Sequence, residues 1–244
     1  MLMRLLVSIL VLALASPSWA AVAFVAGAEC EGTSGMTCSI TPSGSDRALY
    51  ACVTHAPGGD DVDAVSAAFN TSESMTVKFT DTTTHGSRHA RVFRLLAPTA
   101  TASSVAFTWT GGGHMRAIVG AFSGVDQTTP DDTHATVDGS GGGTSSTVNV
   151  SSATNNMVMD CLVAVSGVTG VTVGAGQTEI NQMIGDSGPG YQAIASSYEA
   201  GSTTTTMSWS WTGFSAYVGW AWDINAATGG GTPATNFFRL RVNP

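Results

Sequence analysis

Two stretches of the chain alternate large apolar and small polar residues in the same way. One reads Val105-Ala-Phe-Thr-Trp-Thr-Gly111, the other Met207-Ser-Trp-Ser-Trp-Thr-Gly213. A period of two over five positions, closed by Thr-Gly, predicts a half-buried strand and a turn. Val105, Phe107 and Trp109 then share one face, as do Met207, Trp209 and Trp211. The likeness extends in both directions. Ile118-Val-Gly-Ala-Phe122 follows the first copy and Val218-Gly-Trp-Ala-Trp222 the second. Upstream, Ala48-Leu-Tyr-Ala-Cys-Val53 matches Met157-Val-Met-Asp-Cys-Leu162. The pieces keep one order at a spacing of about a hundred residues, so the pattern is a two-fold duplication and not a solenoid.

No window sustains a 3.6-residue period, and Val, Thr and aromatic residues dominate the apolar runs. The pattern predicts strands over 22–26, 36–41, 47–54, 62–69, 75–80, 89–96, 104–110, 115–123, 146–151, 157–165, 171–180, 190–199, 204–212 and 216–225. Many short strands at near-even spacing predict an all-β fold. The duplication makes it a jelly-roll-like β-sandwich built from two similar Greek-key halves, about 47–125 and 156–225. Two small sandwiches in tandem are the alternative. A single domain over 21–227 is preferred, because one half alone has few residues with which to cover its tryptophans.

The ends differ in character. Met1 to Arg4 is a charged start, Leu5 to Ala15 is almost unbroken apolar sequence, and small residues stand at Ser18 and Ala20. This predicts a signal peptide over residues 1–20, cut after Ala20, and a secreted or periplasmic product. The run is too short for a membrane helix, so no membrane insertion is expected. A Gly-rich linker over 228–235 leads to a strand-like tail, 236–244. There Phe238, Leu240 and Val242 alternate with Arg239 and Arg241. Such a strand docks on its own sandwich or on a neighbour, so self-association through residues 236–242 is an expectation.

Composition narrows the chemistry. Nine Lys and Arg stand against 17 Asp and Glu, and charged residues make up only 11%. An acidic, lysine-poor surface repels phosphate, so nucleic acid is not an expected partner. Export makes disulfides the expected state of four cysteines. Cys52 and Cys161 hold equivalent places in the duplication, on strands that lie side by side if the halves form one jelly roll. They should therefore pair, which leaves Cys30 with Cys38 across Gly32 to Gly35. Four free thiols are the alternative.

The stretch Ala121-Phe-Ser-Gly-Val-Asp-Gln-Thr-Thr-Pro130 resembles a segment that recurs in uncharacterised secreted bacterial β-sandwich proteins. The resemblance runs over about residues 38–227 and implies the fold and export only.

Catalytic candidates are thin. Asp60, Asp61 and Asp63, and again Asp126, Asp131 and Asp132, cluster in turns but lack the spacing of a calcium loop. His55, His85, His89, His114 and His134 are scattered. His85 and His89, read on a strand, stand roughly 13 Å apart. No Gly-x-Ser-x-Gly elbow and no paired carboxylates emerge. No catalytic, cofactor or metal residues are assigned. Arg88, Arg91 and Arg94 are read as solvated. Asn70 and Asn149 start glycan-acceptor patterns. Trp109, Trp209, Trp211, Trp220 and Trp222 fall on apolar faces and are assigned to the core. Tyr191 and Phe214, each beside glycine in a predicted loop, are the contact candidates for a ligand. The expectation is a non-catalytic extracellular module that binds a glycan or a cell-surface protein in adhesion. The alternatives are a structural subunit of an extracellular or virion assembly and a hydrolase with an unrecognised site.

Overall fold

The computed structural model describes residues 21–55, 65–80, 89–109, 113–164, 167–184 and 192–228. The predicted signal peptide, the tail strand, the Asp60–Asp63 cluster, His85, Arg88 and Tyr191 lie outside the described residues. Described elements are all strands. The first half holds β1 (Ala23–Gly32), β2 (Met36–Ile40), β3 (Ala48–His55), β4 (Ser66–Phe69) and β5 (Glu73–Ser74). It continues with β6 (Thr76–Thr80), β7 (His89–Leu96), β8 (Ser103–Thr108) and β9 (Met115–Ser123). The second half holds β10 (His134–Ser151), β11 (Met157–Ala164), β12 (Thr169–Val173), β13 (Thr178–Met183), β14 (Ala193–Ala200) and β15 (Thr204–Ile224).

The fold is an all-β sandwich of antiparallel sheets. In the first half one sheet runs β1-β9-β3-β7-β6 and the other β2-β8-β4-β5. The second half repeats this with fewer, longer strands. The two ends of β10 stand where β1 and β2 stand, and the two ends of β15 where β8 and β9 stand. Its sheet β10-β15-β11-β14-β13 matches the first sheet, and β12 pairs the N-terminal part of β15 as β4 pairs β8. In each half the first strand pairs with the last, β1 with β9 and β10 with β15.

The layers explain the burial. Leu49, Ala51 and Val53 of β3 meet Phe69, Val105 and Phe107 inside the first half. Trp209, Trp211, Val148 and Met207 close the inside of the second. A third core joins the halves, where Tyr50, Cys52, Ile118 and Phe122 meet Met159, Cys161, Trp220 and Trp222. Tyr50 and Trp222 stand 5.8 Å apart between ring centroids, and Phe24 stacks on Tyr198 at 4.5 Å. Both disulfides pair as the duplication leads one to expect, Cys30 with Cys38 and Cys52 with Cys161. The strands carrying Cys52 and Cys161 are not hydrogen-bonded neighbours, however. They are stacked face to face in two sheets, and the bond crosses the shared core.

Three local readings change. The second Thr-Gly makes no turn, because Gly213 at φ 99° lets β15 run on from Trp211 to Ile224 as one strand. The Gly-rich stretch before residue 146 belongs to β10, which starts at His134 and keeps pairing with β15 through two register shifts. The predicted 171–180 strand divides into β12 and β13 around a turn at Gly174–Gln177. The arginines also change role. Arg91 is buried, and Arg94 places Nη1 2.8 Å from both carboxylate oxygens of Asp131.

Loss of the inter-half disulfide, in a Cys52→Ala/Cys161→Ala variant, should cost about 4–5 kcal/mol in chain entropy for its separation of 109 residues. The local Cys30–Cys38 bond, closing eight residues, should contribute roughly 2–3 kcal/mol. Denaturant unfolding of that variant and of Cys30→Ala/Cys38→Ala, both under non-reducing conditions, measures the difference.

Candidate functional site

β10 and β15 bend together midway along their pairing, at the register shifts between Gly139 and Ser145, and the bend presents an aromatic surface. Gly213 is required there, since a Cβ would lie 2.5 Å from the Gly167 carbonyl oxygen. On the paired strand Gly139, Gly142 and Gly143 leave the backbone bare. Tyr217 lies over Gly139 and Phe214 over Gly142, where an added Cβ would fall 2.1 and 2.2 Å from the rings. Trp211 meets Tyr217 edge to face at 5.0 Å and donates its indole N–H to the Gly143 carbonyl at 3.1 Å. Phe214 is 76% exposed, against 47% for Val77, the other large exposed hydrophobic residue among those described. A ring held on a glycine floor loses little further rotamer freedom when it meets a partner.

The remaining sequence candidates resolve differently. Trp209, Trp211, Trp220 and Trp222 are buried, and Trp109 packs half-buried against the first core. His134 lies against Phe79 in a tilted pair with ring centroids 4.5 Å apart, and His114 lies 3.5 Å from Glu31. Among the described residues no three His, Cys, Asp or Glu side chains converge as a metal site would need. Asp126 caps its own turn, accepting the Thr128 and Thr129 N–H groups at 2.7 and 2.9 Å. These bonds hold its carboxyl below the usual range. Asp131 accepts from Arg94, Lys78 and the Tyr50 hydroxyl. The Asp126–Asp132 segment is therefore the pinned connection between the halves.

Two polar clusters carried no motif. In the first, Arg116 of β9 is buried and reaches into the second half, donating to the Gln192 carbonyl at 2.8 Å. It also bonds Glu31 at 3.1 Å, while Thr54 donates to the Gln192 side chain. The second cluster centres on Asp160 of β11, which is 2% exposed. One carboxylate oxygen accepts the Ser197 N–H at 2.7 Å and the Ser197 hydroxyl at 2.9 Å. The other accepts the Trp209 indole N–H at 2.6 Å and the Gln177 amide at 3.3 Å. Burial pushes the carboxyl up and these donors pull it back, leaving it at about 7. The sequence did carry a sign of it: Asp160 aligns with Ala51 in the duplication.

Compared with protein-family models, with curated proteins and with solved structures, the chain matches none. The bend and the two polar clusters must be read from their own chemistry.

Asp160 fixes a pH dependence. Its folded pKa lies above the ordinary 3.8, so between those values the folded state holds a proton that the unfolded state has lost. Its contribution is therefore greatest below about pH 4, falls by roughly 4 kcal/mol towards pH 7 and is flat above. Asp160→Asn should remove that slope. It should also cost about 1–3 kcal/mol at acid pH, because its amide N–H₂ faces donors. Urea unfolding from pH 4 to 8 measures both.

Proposed function

We propose that the protein is a secreted, non-catalytic β-sandwich module that binds an extracellular surface, either a glycan or an envelope protein, and that the Phe214 bend is its contact. The exposed Phe214 ring carries this reading. Aromatic rings are large, stiff contact groups that dominate recognition surfaces, and their faces suit the apolar side of a sugar. Here the backbone spends three glycines and a bend on displaying one.

The setting agrees with export. Two disulfides fit an oxidising compartment, and residues 1–20 have the pattern of a cleaved leader. Among the described residues no helix is long and apolar enough to cross a membrane. The surface carries few charges, so contact would rest on shape, hydroxyl hydrogen bonds and aromatic stacking, with weak dependence on salt.

A glycan array followed by calorimetry on the best binder tests this. Phe214→Ala should change stability by less than about 0.5 kcal/mol, since the ring is exposed. It should weaken binding by about tenfold or more, or roughly 1.4 kcal/mol. An unchanged affinity would remove the bend from the site. A wild-type protein that binds neither glycans nor envelope extracts would remove the reading itself.

A further inference from the structure

The first half keeps one corner open that the second half closes. β10 runs unbroken beside β15 through its whole half, whereas β1 and β2 are separate strands that part beyond the Cys30–Cys38 bond. Each pairs on one side only among the described residues, β1 with β9 and β2 with β8. Between them lies a groove of about 500 Å³ whose lining includes Ala26, Gly27, Ile40, Thr41 and Ser104. No charged side chain lines it. Two unpaired strand edges flank it, and small side chains leave it unfilled.

We propose that this groove seats residues 236–242 of the same chain, added as a strand beside β1. Three observations carry the assignment. The first is parity. On β1, Ala26 and Ala28 face the core of the first half, while Gly27, Glu29 and Glu31 face the other way. In the segment, Phe238, Leu240 and Val242 alternate with Arg239 and Arg241. Side by side, the apolar set enters the groove over Ile40 and the arginines stand on the face of Glu29 and Glu31. Opposite charges across neighbouring strands stabilise a sheet.

The second observation is charge. Glu29 and Glu31 alternate on one face of β1, and partial burial, then Glu31 and Glu179, raise the Glu29 carboxyl above the usual range against the pull of Arg116, which is bonded to Glu31. That edge gathers carboxylates on a chain with few cations. The edge strand β6, by contrast, carries Lys78, which repels arginine.

The third is reach. Ala227 donates its N–H to the Gly124 carbonyl, and Gly124 donates to Ser45, four residues beyond Thr41. Ala23 pairs with Ser123. Thr228, the last described residue, therefore stands at the end of the groove where β1 begins. Residues 229–235 span up to about 23 Å when extended, and Gly27 is about 13 Å along β1 from Ala23.

A benzophenone photocrosslinker placed at Phe238 in the full secreted chain tests the seat. The expected product is an intramolecular link, at monomer mass, to a peptide within 23–32, 36–41 or 102–104. A link elsewhere on the chain, a link between two copies, or no link overturns the proposal. Charge reversal gives an independent reading. Arg239→Glu/Arg241→Glu should speed thermolysin cleavage within 236–242 by about tenfold, the measure of 1.4 kcal/mol in opening. Adding Glu29→Arg should slow it again. An unchanged rate in the reversal variant, or no rescue, overturns the charge pairing and with it the register.

Discussion

Leu49 and Tyr50 are neighbours on β3, and neither meets solvent. Leu49 lies in the core of the first half and Tyr50 in the core between halves. The same holds along β9 and β11, where both faces of the strand are covered. Antiparallel sheets commonly keep one wet face, with apolar and polar residues alternating. Here the central strands β3, β9 and β11 have almost none. Covering both faces demands small residues where sheets approach, which Ala48, Ala51, Ala117 and Ala121 supply on the first central sheet. It also demands large partners, Phe69 and Phe107 in the core with Ala51, Ala117 and Ala121, and Trp220 and Trp222 in the core with Ala48. Gly27 shows how close the approach is, since a Cβ there would stand 2.6 Å from the Ile180 side chain.

That constraint decides what was legible in the sequence. Outer strands such as β2 and the start of β15 have one wet face, so their alternation is plain. The duplication was plain as well, and with it the cysteine pairs. The central strands read as continuous apolar runs, which betray burial but not what covers each side. The sequence therefore suggested a side-by-side placement of Cys52 and Cys161, where the structure stacks them. Glycine hid the rest. Residues 139–143 and Gly213 look like turns, yet they hold strands that must bend, and only their pairing partner reveals it. Phe214 was visible because an aromatic residue after Thr-Gly breaks the pattern. Arg91 and Arg116 were not, because a buried arginine looks the same in sequence as a solvated one.

The Val125–Pro130 stretch, the most distinctive segment in the chain, has a structural account. Val125 bridges Ala226, Gln127 donates to the Arg47 and Val125 carbonyls, and Asn225 donates to Thr129. Next along the chain, Asp131 reaches β3, β6 and β7 through Tyr50, Lys78 and Arg94. A buried carboxylate with three donors tolerates no displacement of any of them, because the group left behind stays desolvated. The segment thus holds the two halves in one relative position, which the shared core alone, being non-directional, would specify poorly.

Asp160 shows what the second half gained by departing from the first. Ala51 at the equivalent place lets the first half keep one continuous core, whereas the second divides around the carboxyl into two clusters. A buried acid is rarely the most stabilising choice at such a place, and a well-packed apolar group is often as good or better. What it adds is register. Its four donors come from β14, β15 and the Gly174–Gln177 turn, and Gln177 accepts in turn from the Ser208 N–H at 2.7 Å. Trp209, held by that carboxyl, is two residues from Trp211, which ties to Gly143 and packs on Tyr217. A slip of one residue in β15 would invert all of these faces at once. The ring of Phe214 stands on the next bend of the same strand, so the polar cluster in the core helps set where that ring points.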